Sequence, residues 1–315
     1  SGKPVDVFRA MMLLTQTIIV RTMLGTDIGD RDRVVASSFE SALAYLNAAL
    51  LNPFSFMEKL PTPTNIRFRR ALRLLDGVIY DIISERRTQQ NFGEDLVSLM
   101  VQAHDDESGA VMSDRQIRDQ VMTIFLAGHE TTASLLSWTF YELSRNPQVE
   151  TLLREELKAR LSDRLIGYDD VAQLTYTRQV LDEALRMYPP AWMFARLSNG
   201  SDRLGEYEIP AKQFLFLSPY VTHHLPQYWQ QPERFDPSRF APEQAESRPR
   251  YAYFPFGGGP RICIGNNFAL MEAPLILATL MQRFRFSLVP GQTIKPLPLA
   301  TLRPRPALWM TLEEA

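Results

Sequence analysis

Apolar positions recur at helical spacing over most of the first two thirds of the chain. Between residues 64 and 87 the apolar side chains return every three or four positions, which places them on one face of an amphipathic helix. The same pattern predicts helices over residues 5–24, 33–50, 64–87, 94–104, 113–145, 146–162, 177–188 and 265–284. Gly25 and Pro147 mark two boundaries, because glycine commonly ends a helix and proline does not continue one.

The predicted helix over residues 113–145 is unusually long. Ser113 and Gln116 fit a capping box at its start. Roughly thirty helical residues span about 45 Å, which is enough to cross a whole domain. We therefore expect the middle of this helix to be buried.

The last third of the chain changes character. Residues 191–222 are rich in Phe, Leu, Tyr and Val, with turn signals at Asn199-Gly200 and Pro210, and predict short strands. A proline-rich irregular stretch over 225–262 follows. The predicted fold class is mainly α with a small β portion, without the β-α alternation of a parallel sheet.

Composition narrows the class of protein. The chain has 315 residues, 45% of them hydrophobic and 22% charged, so we expect one globular domain over residues 1–315. The net charge of −2 gives no sign of a nucleic-acid partner. One cysteine excludes an intrachain disulfide. The apolar stretch 11–20 is too short for a membrane span and predicts a buried helix. We therefore expect a cytoplasmic location with no membrane segment in this chain, and an N-terminal membrane anchor that precedes it stays open as the alternative.

The single cysteine, Cys263, lies in a distinctive loop that begins at Phe254. Three successive glycines, 257–259, let the backbone approach a large flat group or adopt positive φ. Cys263 comes at the start of the predicted helix 265–284, where helix amides and the nearby Arg261 favour a thiolate. A lone cysteine without such a setting is more often a small buried apolar residue.

Five residue types are fixed within ten positions of this loop: Phe256, Gly259, Arg261, Cys263 and Gly265. The segment resembles the heme-binding loop of the cytochrome P-450 family. The resemblance implies that Cys263 is the axial thiolate ligand of the iron of heme b. It also implies that Phe256 packs beside the sulfur, that Arg261 pairs with a heme propionate, and that Gly265 belongs to the cofactor site. Thiolate ligation favours O–O cleavage.

A second motif places Glu183 and Arg186 three residues apart on a predicted helix. Taken alone, such a pair is a solvated ion pair worth a few tenths of a kcal/mol. It precedes Pro189-Pro190, as the E-x-x-R motif of the P-450 family does. The segment 232–235, Pro-Glu-Arg-Phe, supplies a third partner. The resemblance implies a buried structural network of Glu183, Arg186 and Arg234.

A third motif, Ala-Gly-His-Glu-Thr-Thr over residues 127–132, falls in the long helix. Taken alone it predicts a helix bend, because a threonine hydroxyl can bond to the preceding turn. The string is similar to the family's oxygen-binding segment. That resemblance implies that Ala127 and Gly128 lie against the heme, with Glu130 as the acid and Thr131 as the alcohol that manage protons.

The resemblance assigns further residues to the heme and the substrate. Arg196 corresponds to a propionate-binding arginine, and Trp192, Met193 and Phe194 would face the substrate. Without the motif, Arg196 would be interpreted as a surface arginine. The other three residues would be interpreted as part of the core. Segments near 52–64 and 299–301 would also line the pocket. The histidines form no metal site, since the adjacent His223 and His224 lack a carboxylate at ligand spacing.

The resemblance covers nearly the whole chain in the family's order, but the family's N-terminal helices, most of its first sheet and its W-x-x-x-R motif have no counterpart. The leading hypothesis is a heme-thiolate monooxygenase. It would insert one oxygen atom from O2 into an apolar organic substrate, with electrons from a ferredoxin or flavoprotein reductase. Two alternatives stay open: a peroxide-driven oxygenase or isomerase of the same fold, and a truncated, non-catalytic heme-binding module.

Overall fold

The computed structural model describes residues 2–25, 31–50, 60–89, 92–105 and 109–314. The helices are α1 (Val7–Leu24), α2 (Arg31–Leu50), α3 (Pro63–Gln89), α4 (Leu96–Gln102), α5 (Asp114–Arg145), α6 (Pro147–Leu161), α7 (Thr175–Met187), α8 (Pro219–Thr222), α9 (Pro242–Glu246) and α10 (Asn266–Arg283). The strands are β1 (Val5–Asp6), β2 (Phe194–Leu197), β3 (Asp202–Leu204), β4 (Tyr207–Ile209), β5 (Phe214–Leu217), β6 (Phe284–Leu288), β7 (Lys295–Pro298), β8 (Leu302–Arg305) and β9 (Trp309–Glu314). The mainly α fold class with a small β portion is confirmed.

The predicted helices all occur, with each end within two residues of its predicted position. The capping box is present: the backbone N–H of Ser113 donates to Gln116 Oε1 at 2.9 Å, and the N–H of Gln116 donates to Ser113 Oγ at 3.3 Å. One boundary differs. Val5 does not open a helix, because Val5 and Asp6 pair as β1 with residues of β9.

The chain divides into two compact units. The first, Met11–Ala133, contains α2, α3 and α4 together with most of α1 and the first part of α5. Its core is apolar and includes Ile19, Met23, Phe39, Leu75, Ile79, Ile83 and Phe125. Thr15 on α1 donates a hydrogen bond to the carbonyl of His129 on α5 at 2.8 Å, so the two helices are tied by a buried polar contact.

By length and composition, α1 is the one described helix that could cross a membrane, with a mean hydropathy of 1.4 over a window that is 44% buried. Several of its side chains, Met11, Ile19, Val20 and Met23 among them, belong to the core. This agrees with the buried helix predicted over 11–20. The helix also buries Thr15 and Gln16.

The second unit joins residues 1–10 to Ser134–Ala315. It contains the antiparallel sheet β1-β9-β6 and three strand pairs, β2-β5, β3-β4 and β7-β8. The second half of α5 is buried here, whereas the middle of the helix, predicted to be buried, is exposed at Ala127. Trp138 is fully buried, stacks on Tyr188 at 4.0 Å between ring centroids, and donates to the carbonyl of Leu302 at 3.0 Å. That residues 1–315 form a single heme-thiolate domain stays a prediction.

Candidate functional site

Cys263 lies in the loop that leads into α10. Its side chain is exposed, and its backbone N–H donates to the carbonyl of Phe256 at 2.9 Å. A short 3-10 turn, Gly259–Arg261, precedes the cysteine, and α10 begins three residues after it, at Asn266. The loop therefore presents the sulfur on a fixed backbone. An exposed thiol does not fit the alternative of a small buried apolar residue.

The three glycines of the loop are each required by geometry. Gly257 and Gly259 have φ of +73° and +67°, in the left-handed region that disfavours side chains. At Gly258 a Cβ atom would lie 2.5 Å from Cε1 of Tyr251. A side chain at any of the three positions would thus strain the backbone or displace Tyr251.

Two arginines lie at the edge of this loop. Arg196 on β2 and Arg261 are exposed, and within the described part of the chain neither forms an ion pair. The Arg196 guanidinium lies 5.0 Å from the ring centroid of Phe194. The same ring reaches the cysteine loop, since its Cζ lies 4.0 Å from where a Cβ of Gly257 would be. Strand β2 therefore brings a cation without an acidic partner among the described residues next to the loop that carries Arg261.

The residues present fit a heme. Among the described residues no group of three or more His, Cys, Asp or Glu side chains could hold a metal ion. Cys263 offers one sulfur ligand, which would suit the iron of a heme. Ile262 and Ile264 beside it are 53% and 92% exposed and would be covered by a flat apolar group. Two uncompensated guanidiniums suit its carboxylates.

The three residues predicted to face a substrate differ in how they are held. The Trp192 indole N–H donates to the carbonyl of Leu299 at 2.8 Å, and Phe194 packs edge-on to Phe254 at 6.3 Å. Met193 is 40% exposed. Their contact with a substrate stays a prediction. The pocket segment near 52–64 lies largely outside the described residues.

Glu183 and Arg186 form a fully buried pair on α7. Arg186 Nε and Nη2 donate to the two carboxylate oxygens of Glu183 at 2.7 and 2.9 Å. Arg186 also donates to the carbonyls of His223 and Pro232 at 2.8 and 2.7 Å. The pair is therefore no solvated surface contact but a hydrogen-bonded centre that joins α7 to the proline-rich stretch.

The third member of this network is Arg239, which corrects the prediction of Arg234. Arg239 Nε lies 3.4 Å from Glu183 Oε1, and its side chain is 11% exposed. Arg234 is exposed and meets Arg186 through its backbone carbonyl at 3.4 Å. The pattern P-x-R-F occurs twice, at 232–235 and 237–240. The second copy forms a 3-10 turn, and this turn places Arg239 next to Glu183.

Sequence reasoning missed His223. This side chain is fully buried, and its Nε2 accepts a hydrogen bond from the backbone N–H of Phe254 at 2.9 Å. Burial lowers the pKa of His223 to about 3, so the ring is neutral at physiological pH. No sequence signal distinguishes it from its neighbour His224.

The segment 127–132 is α-helical within α5. Thr131 Oγ1 donates to the carbonyl of Ala127 at 2.8 Å, while Glu130 is 1% exposed. Gly128 packs closely against α1, since a Cβ there would lie 3.1 Å from Cδ1 of Ile19 and would require that side chain to shift by a few tenths of an ångström. The roles of Glu130 and Thr131 in proton transfer, and of Ala127 and Gly128 at the heme, stay predictions.

The comparison with known proteins decides the family. The family model for Cytochrome P450 matches residues 1–310. The chain belongs to the cytochrome P450 family. Cyclooctatin synthase of Streptomyces melanosporofaciens is 39% identical over 96% of this chain and 67% of its own length. Pentalenene oxygenase of Streptomyces avermitilis is 35% identical with the same two coverages.

A solved structure agrees with these relatives. The crystal structure of the cytochrome P450DA heme domain superposes with a TM-score of 0.90 at 31% identity, covering all of this chain and 69% of that one. The P450 described here thus spans about two thirds of the length of the proteins it matches. As a family member it is an iron-containing heme protein and an oxidoreductase of the monooxygenase kind.

Proposed function

We propose that this P450 inserts one oxygen atom from O2 into an apolar organic substrate, with heme b held by Cys263 and electrons supplied by a ferredoxin or a flavoprotein reductase. The observation that carries the proposal is the exposed Cys263 thiol on a loop fixed by Gly257 and Gly259. When bound, a thiolate-ligated heme supplies the cleavage of the O–O bond.

The side chains around Cys263 would bind and orient the cofactor. Arg196 and Arg261 would pair with the two propionates, because both guanidiniums are exposed and the structure shows no acidic partner for either among the described residues. Phe256 is half-buried and would shield the sulfur from water. Gly265, as the N-cap of α10, leaves room beside the sulfur, since a Cβ there would lie 3.9 Å from Sγ.

Proton handling is assigned to α5. The Thr131 hydroxyl donates its hydrogen bond to the Ala127 carbonyl. The lone pairs of the hydroxyl oxygen can therefore accept a further hydrogen bond. Thr131 would thereby orient a hydrogen-bond donor, and Glu130 would supply the proton. The presence of both residues favours an O2-driven reaction over a peroxide-driven one.

The substrate class is inferred from the relatives. One is named Pentalenene oxygenase, and another, 37% identical over 93% of this chain and 64% of its own length, Cyclooctat-9-en-7-ol 5-monooxygenase. We infer that the P450 takes a cyclic hydrocarbon or its alcohol. Met193, the most exposed of the three predicted contacts, would lie against such a substrate.

The test compares Thr131→Ala with Thr132→Ala in the purified holoprotein, with pentalenene and cyclooctat-9-en-7-ol as probes. Thr132 is the control because it is buried and donates to the Gly128 carbonyl at 3.2 Å. With ferredoxin and its reductase, we expect Thr131→Ala to lower product formed per O2 consumed by about tenfold or more, and Thr132→Ala to retain it. Full coupling in Thr131→Ala, with peroxide as an equal oxidant, would instead favour the peroxide-driven alternative.

A further inference from the structure

His223 lies between the buried Glu183–Arg186 pair and the cysteine loop. Its Nε2 accepts from the backbone N–H of Phe254 at 2.9 Å, and its Nδ1 lies 3.3 Å from the backbone carbonyl of Arg186. Arg186 in turn donates from Nη1 to the carbonyl of His223 at 2.8 Å. The histidine is thus bonded to α7 through both its ring and its backbone.

These contacts settle where the ring proton sits. A backbone N–H can only donate, so Nε2 must carry a lone pair toward Phe254. A carbonyl can only accept, so Nδ1 carries the proton toward Arg186. His223 must therefore be neutral, as one defined tautomer, for both bonds to exist.

The His223 ring is enclosed by the protein. Its side chain is fully buried, and its Nε2 is the acceptor that the Phe254 amide uses. The ring packs against Tyr253 and Trp229, at 5.2 and 6.3 Å between centroids. An amide left without an acceptor at such a site is strongly unfavourable.

Backbone hydrogen bonds connect Phe254, which His223 binds, to Cys263. The carbonyl of Phe254 accepts from the N–H of Gly257 at 3.0 Å, and the carbonyl of Phe256 accepts from the N–H of Cys263 at 2.9 Å. A continuous set of hydrogen bonds therefore runs from Arg186 through His223 to the backbone of Cys263.

We propose that His223 is a positioning residue for the heme ligand: it fixes the start of the cysteine loop to the Glu183–Arg186 pair and so sets where the Cys263 sulfur meets the iron. This inference rests on the proposed function, in which Cys263 ligates the heme. His223 itself touches neither the sulfur nor the cofactor. Its effect is exerted through the Phe254 amide.

The test uses three variants of the holoprotein. His223→Leu removes the acceptor, His223→Gln offers an uncharged side-chain oxygen near the position of Nε2, and His224→Gln is the control. His224 is the right control because it is half-buried and its Nδ1 makes a local contact with the carbonyl of Tyr220 at 2.7 Å.

The readout is the rate at which the reduced CO complex loses its thiolate absorption in mild urea at pH 7.5. We expect this rate to rise at least about tenfold in His223→Leu, corresponding to about 1.4 kcal/mol. It should stay within about threefold of the wild type in His223→Gln and His224→Gln. A purely structural role would lower the urea midpoint of unfolding without accelerating ligand loss in the folded holoprotein, and that result would overturn the proposal.

A second readout covers the case in which His223→Leu does not fold. The titratable groups facing the ring are Arg186, His224 and Tyr253, whose hydroxyl donates to Asp182 at 2.9 Å. Loss of the thiolate requires the loop to open, and opening returns His223 to its ordinary pKa of about 6.5. Between pH 7.5 and 5.0 we therefore expect thiolate loss to accelerate at least about tenfold in the wild type and in His224→Gln, but not in His223→Gln. Equal acceleration in all three proteins would refute the role of His223. A wild type without any thiolate absorption would refute the proposed function instead.

Discussion

Arg239 Nε lies 3.4 Å from the Oε1 atom of Glu183, with the Arg239 side chain 11% exposed. Glu183 is itself fully buried and bonded by Arg186. The carboxylate is thus held between two guanidiniums from different parts of the chain. Removal of either leaves a buried charge less compensated.

The stability of the fold should depend on Arg239 and not on Arg234. We expect Arg239→Gln to lower the free energy of unfolding by about 2 kcal/mol. The matched Arg234→Gln changes an exposed side chain in the earlier copy of P-x-R-F and should stay within about 0.5 kcal/mol of the wild type. Urea unfolding of both variants measures this. A larger loss in Arg234→Gln would reverse our assignment.

The left-handed glycines of the cysteine loop should resist substitution. Gly259→Ala is expected to lower the free energy of unfolding by about 1–2 kcal/mol, because alanine is strained at a φ of +67°. Gly200→Ala is the control, since no atom lies within 4 Å of its Cβ position and its φ is outside the left-handed region. Thermal or urea unfolding distinguishes them. Equal stability of the two variants would show that the loop accommodates a side chain.

Arg196 and Arg261, the two arginines beside the cysteine loop, should hold the cofactor. We expect Arg196→Ala and Arg261→Ala each to speed heme transfer to an excess of a heme-free acceptor protein by about fivefold, as befits an exposed charge-assisted pair. Arg203→Ala provides the control, because Arg203 is exposed and donates to the carbonyl of Gly205 on the β3-β4 hairpin. Transfer rates that are the same in all three variants would remove the propionate assignment.

The free energy of unfolding should decrease at acid pH because His223 is protonated in the unfolded state. Its pKa is about 3 in the folded chain and about 6.5 unfolded, so the unfolded state binds more protons between these values. The contribution is present in full above pH 6.5 and is lost as the pH falls toward 3. At pH 5 the loss is about 2 kcal/mol.

The measurement is urea unfolding at pH 7 and pH 5, compared between the wild type and His223→Gln. Burial raises the pKa of Glu142 and of Asp182, which acts in the opposite direction in both proteins. The difference between the two proteins therefore isolates His223. An identical pH dependence would mean that His223 titrates normally.

Much of the fold could be predicted because its signals are local. The start of α5 follows from the Ser113–Gln116 capping box and its end from Pro147. The cysteine loop could be identified because its fixed residue types lie within ten positions of one another. In both cases the residues that define the feature are neighbours in sequence.

The features that could not be predicted depend on distant residues. Val5 forms a strand because Met310 pairs with it, and the close packing at Gly128 arises because Ile19 approaches it. The choice between Arg234 and Arg239 depends on which copy of P-x-R-F turns toward Glu183. The importance of His223 emerges only when Phe254 and Arg186 are brought to either side of its ring.

The central claim is that Cys263 ligates the iron of a heme. Its most direct test is the absorption spectrum of the reduced CO complex, recorded for the purified wild type and for Cys263→His, which keeps a ligand but replaces sulfur with nitrogen. We predict about one heme per chain in the wild type, with the absorption maximum typical of thiolate ligation, and loss of that maximum in Cys263→His. A wild-type chain that takes up no heme, or one whose maximum is unchanged by the substitution, would contradict the claim.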